Sequence, residues 1–401
     1  MKKTIGVFFG SRNPEHDVSI ITGQLIISGL RKLNYSVVPV YLDKQGRWYV
    51  GEQFGHLGQF TDPKTTFLGK DRRWVLDMEE SMGKLVFQKK GFGGKKVIID
   101  LAFPAFHGQN GEDGTFQGLC ELLQVPYVGC DVASSAVTMD KVLTKLLLQA
   151  ARIPTTEFVF FTKSEWVTDK KGIIKNIINT LRLPVIVKPA RLGSSIGIAK
   201  AKTEKDLEFA VEVAFHYDEK VIIEVCITDL MDVTCAVMGN GNPTPSLLQE
   251  SVFGDELFSY EDKYLEDGGA QLGNAKNSIV IPARLDESTT KKIQDIAIKV
   301  YKLVGCSGIA RVDFLFDTKT KEIYANEVNT LPGTIYHHLW KASGIELPEL
   351  LTKLIGYAEE KYSQKKEYIH TFNSDLLKFA NSVKLQVSTK GRLPSGQKGK
   401  S

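Results

Sequence analysis

The sequence has no apolar run near the ~20 residues that a membrane-spanning helix needs, so none is read from it. It also lacks a strong charge of either sign. Against 51 Lys and Arg stand 47 Asp and Glu, a net charge of +4 over 401 residues. Such a balance gives no electrostatic footprint for nucleic acid or a membrane surface. Cysteine is scarce and odd in number. Cys120, Cys130, Cys226, Cys235 and Cys306 form no C-x-x-C pair, a pattern that fits buried thiols in a reducing cytoplasm. A P-loop is missing too. The only Gly-Lys-Ser is Gly399-Lys-Ser401, and Pro394 stands where the motif's first glycine belongs. The opening Met1-Lys-Lys-Thr-Ile-Gly-Val-Phe-Phe9 has an apolar run that ends at Gly10 without a cleavage-like site. It reads as a buried first strand rather than a leader.

What remains is an ordinary globular composition, 42% hydrophobic and 24% charged, long enough for two or three domains. Residues 1–140 alternate strand and helix: strands at 4–9, 36–42, 97–103 and 125–128, helices at 18–33 and 115–124. This predicts an open parallel α/β unit decorated by hairpins and loops over 43–96. Residues 141–225 form a second α+β unit with strands at 157–162, 184–189, 196–201 and 220–226. A β-rich third unit spans 226–363, with strands at 232–238, 246–252 and 278–282 and helices at 287–304 and 347–362. Residues 364–401 turn polar and basic, with disorder expected after Val387.

The densest chemistry lies in Gly308-Ile-Ala-Arg-Val-Asp-Phe-Leu-Phe316 and Glu322-Ile-Tyr-Ala-Asn-Glu-Val-Asn329. These read as two strands of a hairpin across the polar Asp317–Lys321. Side chains alternate along a strand, so Arg311 and Asp313 share a face, as do Glu327 and Asn329. A turn centred near Thr320 sets Asp313 opposite Glu327 and Arg311 opposite Asn329. Two carboxylates and a carboxamide, with no histidine or cysteine, suit Mg²⁺. The plainer reading is a surface salt-bridge ladder, which does not explain polar residues interrupting two hydrophobic strands.

Three loops add candidates. Lys188-Pro-Ala-Arg-Leu-Gly-Ser-Ser-Ile-Gly197 ends a strand with a lysine and a small-residue turn, which suits phosphate or a simple hairpin. Glu15 follows the first strand, at the edge where parallel α/β folds bind ligands, and suits either an ammonium group or the start of a helix. His107, in Phe106-His-Gly-Gln-Asn-Gly-Glu-Asp-Gly114, faces the same edge.

Together these segments resemble the D-alanine–D-alanine ligase family of the ATP-grasp superfamily. The resemblance rests on His107-Gly-x-x-Gly-Glu-Asp-Gly-Thr-x-Gln-Gly118, Ala133–Lys141, Lys188–Gly197, Tyr260-Glu-Asp-Lys-Tyr264, Arg311-Val-Asp313 and Asn326-Glu-Val-Asn-Thr-Leu-Pro-Gly333, in the family's order. It implies a three-unit fold in which residues 141–225 and 226–363 clamp ATP. It implies ATP-driven joining of two D-alanines through an acyl phosphate, for peptidoglycan precursors. A different acceptor, such as D-lactate or another amino acid, and a catalytically silent homologue are the alternatives. It further implies Lys141, Lys188, Ser195, Glu224, Asp232 and Lys263 at ATP. Asp313, Glu327 and Asn329 are implied to hold two Mg²⁺ ions, with Mn²⁺ as a substitute. Glu15, Ser194, Tyr264, Arg311 and Gly333 are implied in catalysis, and His107 and Thr334 at the substrates. A homodimer without nucleic-acid or membrane partners is expected.

Two departures stand out. The family's Asn-Thr-Leu-Pro-Gly element is followed by a longer loop ending in a serine for the second substrate's carboxylate. Here Gly333-Thr-Ile-Tyr-His-His-Leu-Trp340 is shorter, which makes Thr334 the replacement hydroxyl and His337 and His338 new lining. The acidic residue at the ribose is usually glutamate and here is Asp232.

Overall fold

The computed structural model describes residues 3–61, 74–91, 94–252 and 279–379. Met1–Tyr362 form one compact unit and Ser363–Ser401 a second. Chain order begins with β1 (Thr4–Gly10), β2 (Ser36–Leu42) and β3 (Trp48–Val50). A separate antiparallel sheet follows, made of β4 (Trp74–Leu76), β5 (Leu85–Lys89) and β6 (Lys96–Ile99). β7 (Leu101–Pro104) then returns to the first sheet, whose order is β3-β2-β1-β7. β1 runs parallel to β2 and β7, and only β3 is antiparallel.

Two readings of this region change. The apolar run 97–103 is two strands in different sheets, because Asp100 interrupts it. Its carboxylate accepts the Thr4 N–H at 2.8 Å, and its own N–H donates to the Thr4 carbonyl at 2.8 Å. The strand expected at 125–128 is a single parallel bridge between Ala102 and Tyr127.

The next sheet has the order β10-β9-β11-β8, all antiparallel, from β8 (Phe158–Thr162), β9 (Val185–Pro189), β10 (Ala199–Ala201) and β11 (Lys220–Val225). Helices Lys163–Leu181 and Glu204–Ala214 cover it, each opened by a reciprocal capping box, Thr162 with Glu165 and Thr203 with Asp206. The last sheet, β14-β13-β12-β15-β16, is also antiparallel. It contains β12 (Leu230–Met238), β13 (Thr244–Ser251), β14 (Ile279–Val280), β15 (Ile309–Asp317) and β16 (Ile323–Asn329). The expected strand 278–282 begins at a residue outside those described.

One apolar core ties the first and last helices of the first unit together. Ile26, Ile27 and Leu30 of helix His16–Lys32 pack with Leu350, Leu351 and Leu354 of helix Leu347–Lys366. Gly29 permits the approach, since a Cβ there would lie 2.5 Å from the Leu351 Cδ1. This packing brings the loops after β1 and β7 against the segment after β16. Leu354→Ala in this core should cost about 2–5 kcal/mol. Phe209→Ala, at a side chain 69% exposed, should change stability by under about 0.5 kcal/mol. Chemical denaturation measures both; equal losses would contradict this description of the core.

Candidate functional site

The β15–β16 register is Arg311 opposite Asn329 and Asp313 opposite Glu327, as the alternation predicts. A bulge directly follows Asp313, where bulges commonly re-aim side chains. On the other side of β15, Thr234 of β12 pairs with Asp313. Asp232 is two residues from Thr234 and so shares its face.

Asp313 gathers donors from three strands. Arg311 Nε donates to Oδ1 at 2.8 Å and Nη2 to Oδ2 at 2.6 Å. The Thr234 hydroxyl donates to Oδ1 at 3.0 Å and Asn329 Nδ2 to Oδ2 at 3.1 Å. Arg311 and Asp313 are both buried, and the guanidinium lies 5.1 Å from the Tyr336 ring centre. Burial works against the charge on Arg311, but Asp313 outweighs it and holds the pKa well above the ordinary arginine value. Glu327 is looser. Lys141 Nζ and Arg311 Nη2 each stand 3.7 Å from one of its oxygens.

Glu15 precedes helix His16–Lys32 yet makes no side-chain cap there. Its carboxylate instead accepts from the Ser194 hydroxyl. Two glycines make room for it: a Cβ at Gly193 would lie 2.9 Å from both its oxygens, and one at Gly108 2.3 Å from Oε2. Ser194 and Ser195 both adopt left-handed backbone, φ 56° and 59°, as the tight turn after β9 requires.

Glu15, Ser194, Arg311, Glu327 and Asn329 line one cleft. His107, Glu112 and Leu331–Gly333 complete its wall. His107 Nε2 and the Thr334 N–H both bond the Thr22 hydroxyl, at 2.8 and 3.0 Å. Burial lowers His107 to about 4, so the imidazole is neutral. The Thr334 hydroxyl donates to the Gly333 carbonyl at 2.8 Å and is buried. Thr334, Ile335 and Tyr336 all have φ near +50°, a strained run for non-glycine residues. His338 Nε2 meets Gln249 Oε1 at 2.7 Å. Burial and neighbouring His337 keep His338 neutral, with a pKa of about 4.

A second cluster lies beside the first. Asp140 caps helix Lys141–Ala150 by accepting from the N–H groups of Val142 and Leu143. That helix carries Lys141, whose Nζ donates to the Leu192 carbonyl at 2.6 Å, and Lys145 one turn on. Lys145 and Lys188 each stand 3.2 Å from Glu224 Oε2. Burial opposes the charge on Glu224, but the two ammoniums outweigh it and hold the carboxyl at about 2. Lys188 also reaches Asn326 Oδ1 at 3.4 Å, next to Glu327.

Among the described residues no three of His, Cys, Asp and Glu gather into a ready-made metal site. Asp313 and Glu327 with the Asn329 carboxamide are an all-oxygen set with few protein ligands. That fits Mg²⁺, which keeps water and substrate phosphates in its shell. Lys263 and Tyr264 lie outside the described residues.

Comparison with known proteins bears on the whole chain. Residues 4–130 match the family model for the D-ala D-ala ligase N-terminus, and residues 147–356 that for the C-terminus. The chain belongs to the D-alanine–D-alanine ligase family. The D-alanine–D-alanine ligase of Thermosipho melanesiensis is 39% identical over 93% of this chain and 98% of its own. That of Thermoanaerobacter pseudethanolicus is 40% identical over 91% and 98%. The solved D-alanine-D-alanine ligase from Coxiella burnetii superposes with a TM-score of 0.77 at 32% identity, covering 91% of this chain and 96% of its own. The VanG D-Ala:D-Ser ligase of Enterococcus faecalis gives 0.74 at 32%, covering 89% and 100%. This is a family of ATP-dependent ligases, and its fold is the ATP-grasp.

Sequence reasoning passed over Glu112, although it lies inside the quoted His107–Gly118 motif. Its Oε2 accepts from the Gly108 N–H at 2.8 Å and its Oε1 from the Leu331 N–H at 3.1 Å. Burial first, and the charge of Glu15 second, raise its pKa to about 8. Between the ordinary carboxylate value and 8, the folded chain keeps a proton that the unfolded chain has lost. Stability contributed by this group is therefore complete below about 4.5 and is lost as pH rises through 8. Glu112→Gln cannot release that proton. Its thermal midpoint relative to the parent should rise steadily from pH 5 to 8; a constant difference would contradict the assignment.

Proposed function

We propose that the chain joins two D-alanines into D-alanyl-D-alanine, with ATP cleaved to ADP and phosphate through an acyl phosphate, for cell-wall precursor synthesis in the cytoplasm. The observation that carries the reading is the shared cleft. Glu15 and Ser194 line it together with Arg311, Glu327 and Asn329, in a chain of this family.

In this reading residues 1–140 hold the first D-alanine, with Glu15 on its ammonium and neutral His107 beside it. Residues 141–225 and 226–363 clamp the nucleotide. Lys141 and Lys188 neutralise its phosphates, the Ser195 turn offers backbone N–H groups, and Glu224 and Asp232 meet adenine and ribose. Asp313, Glu327 and Asn329 would hold Mg²⁺, which supplies charge neutralisation to the phosphates. Phosphoryl transfer then needs positioning more than covalent help. Arg311 and the Gly333 N–H stabilise the oxyanion formed when the second amine attacks. Ser194 and Tyr264 orient the attack, and Lys263 approaches the γ-phosphate.

A second reading concerns the acceptor. The Thr334 hydroxyl, proposed for the second substrate's carboxylate, donates to the Gly333 carbonyl, so recognition there requires it to turn. The short Gly333–Trp340 segment then favours an acceptor other than D-alanine. ADP release measured with ATP, Mg²⁺ and D-alanine, D-serine, D-lactate and the L-amino acids separates the two readings. No release with any pair would overturn both. Glu327→Gln should lower release more than about a hundredfold, since the phosphates lose a negative ligand to their cation. Its thermal midpoint should barely move, because Glu327 is partly exposed and the Lys141 and Arg311 cations stand 3.7 Å from it. Near-normal turnover would make the cluster structural.

A further inference from the structure

Lys145 has no part in the reading above, yet its side chain is 0% exposed. Its Nζ donates to the hydroxyls of Thr155 and Thr156, both at 2.8 Å, and pairs with Glu224 Oε2 at 3.2 Å. The Thr156 hydroxyl also donates to that oxygen at 3.0 Å, and Lys188 reaches it at 3.2 Å. Two ammoniums therefore share one carboxylate oxygen, with Glu224 2% exposed. One cation is in excess.

The two lysines are not equivalent. Lys145 is enclosed and anchored by two further hydroxyls. Lys188 is 9% exposed and, among the described residues, otherwise bonds Asn326 Oδ1, at 3.4 Å. Lys188 sits on β9 opposite Ile222, two residues from Glu224, so it lies diagonal to Glu224 on one sheet face. It can swing off Glu224 toward a polyphosphate while Lys145 stays.

We propose that Lys145 is a positioning residue for the nucleotide: it is the standing counter-ion of Glu224, and so releases Lys188 to exchange Glu224 for a phosphate of ATP. This rests on the reading of Lys188 and Glu224 as nucleotide-site residues. A buried carboxylate with a single cation holds it firmly, because separating them leaves both charges uncompensated. With Lys145 gone, Lys188 is that single cation.

The test is steady-state ADP release, together with calorimetric binding of ADP and of adenosine, on the full chain. Lys145→Met should raise KM for ATP and weaken ADP binding about tenfold, the size of one charge-assisted phosphate contact. Adenosine affinity and KM for D-alanine should change less than about twofold, because neither uses Lys188. Lys145→Arg keeps the charge and should restore ATP binding. In a Glu224→Gln background, Lys145→Met should add nothing, since there is no charge left to balance. That pair stays informative if Lys145→Met alone fails to fold. An equal loss of adenosine and ADP binding would overturn the proposal, as would no rescue by arginine, or the same added loss in the Glu224→Gln background. If Lys188→Met leaves KM for ATP unchanged, the nucleotide-site reading has failed. If Lys188→Met raises it and Lys145→Met does not, only the role of Lys145 has failed.

Discussion

The site depends on the buried pair of Arg311 and Asp313. Two residues apart on β15, they bond each other through Nε and Nη2. A lone buried charge is costly, and a pair is tolerated only when its remaining donors and acceptors are used. Here Thr234 and Asn329 complete Asp313, and the Tyr336 ring lies against the guanidinium. Three neighbouring strands and the segment after β16 are thereby held in one register. Glu327, 3.7 Å from the Arg311 guanidinium, faces the cleft.

Around the pair, loops far apart in sequence are fastened by side chains that bond backbone groups or each other. Glu112 joins Gly108 to Leu331, and Thr22 joins His107 to Thr334. Asn13 Nδ2 donates to the carbonyls of His107 and Gln109 at 2.7 Å. His107 is held neutral by burial, and Glu112 is raised toward neutrality by burial and by Glu15. Net negative charge beside Glu15 is limited in consequence, which suits a cleft that also faces Glu327.

The hairpin of β15 and β16 was legible because its information is local: alternating polar residues and a short polar turn determine which side chains meet. Glu15 was legible only as a choice between ligand and helix start. The missing cap bond and the glycines at 108 and 193 decide that its carboxylate faces the cleft. Glu112 and Lys145 were not legible, because their partners Leu331 and Glu224 are remote in sequence. Asp100 misled in the opposite way. A single polar residue in an apolar run looks tolerable until the Thr4 N–H claims its carboxylate and divides the strand between two sheets. Helix Val132–Met139 was missed although Asp131 and Ser134 form its capping box, because the run was read only as a motif.

Arg311 and Asp313 stabilise the site as a mutually compensating buried pair. The direct measurement is unfolding free energy for Arg311→Met, Asp313→Asn and the double variant, with ligase activity alongside. Each single change strands a buried partner and should cost about 3–5 kcal/mol. The double change removes both charges and should lose clearly less than the sum of the singles, with activity absent in all three. Additive losses, or ligation by the double variant, would contradict the account.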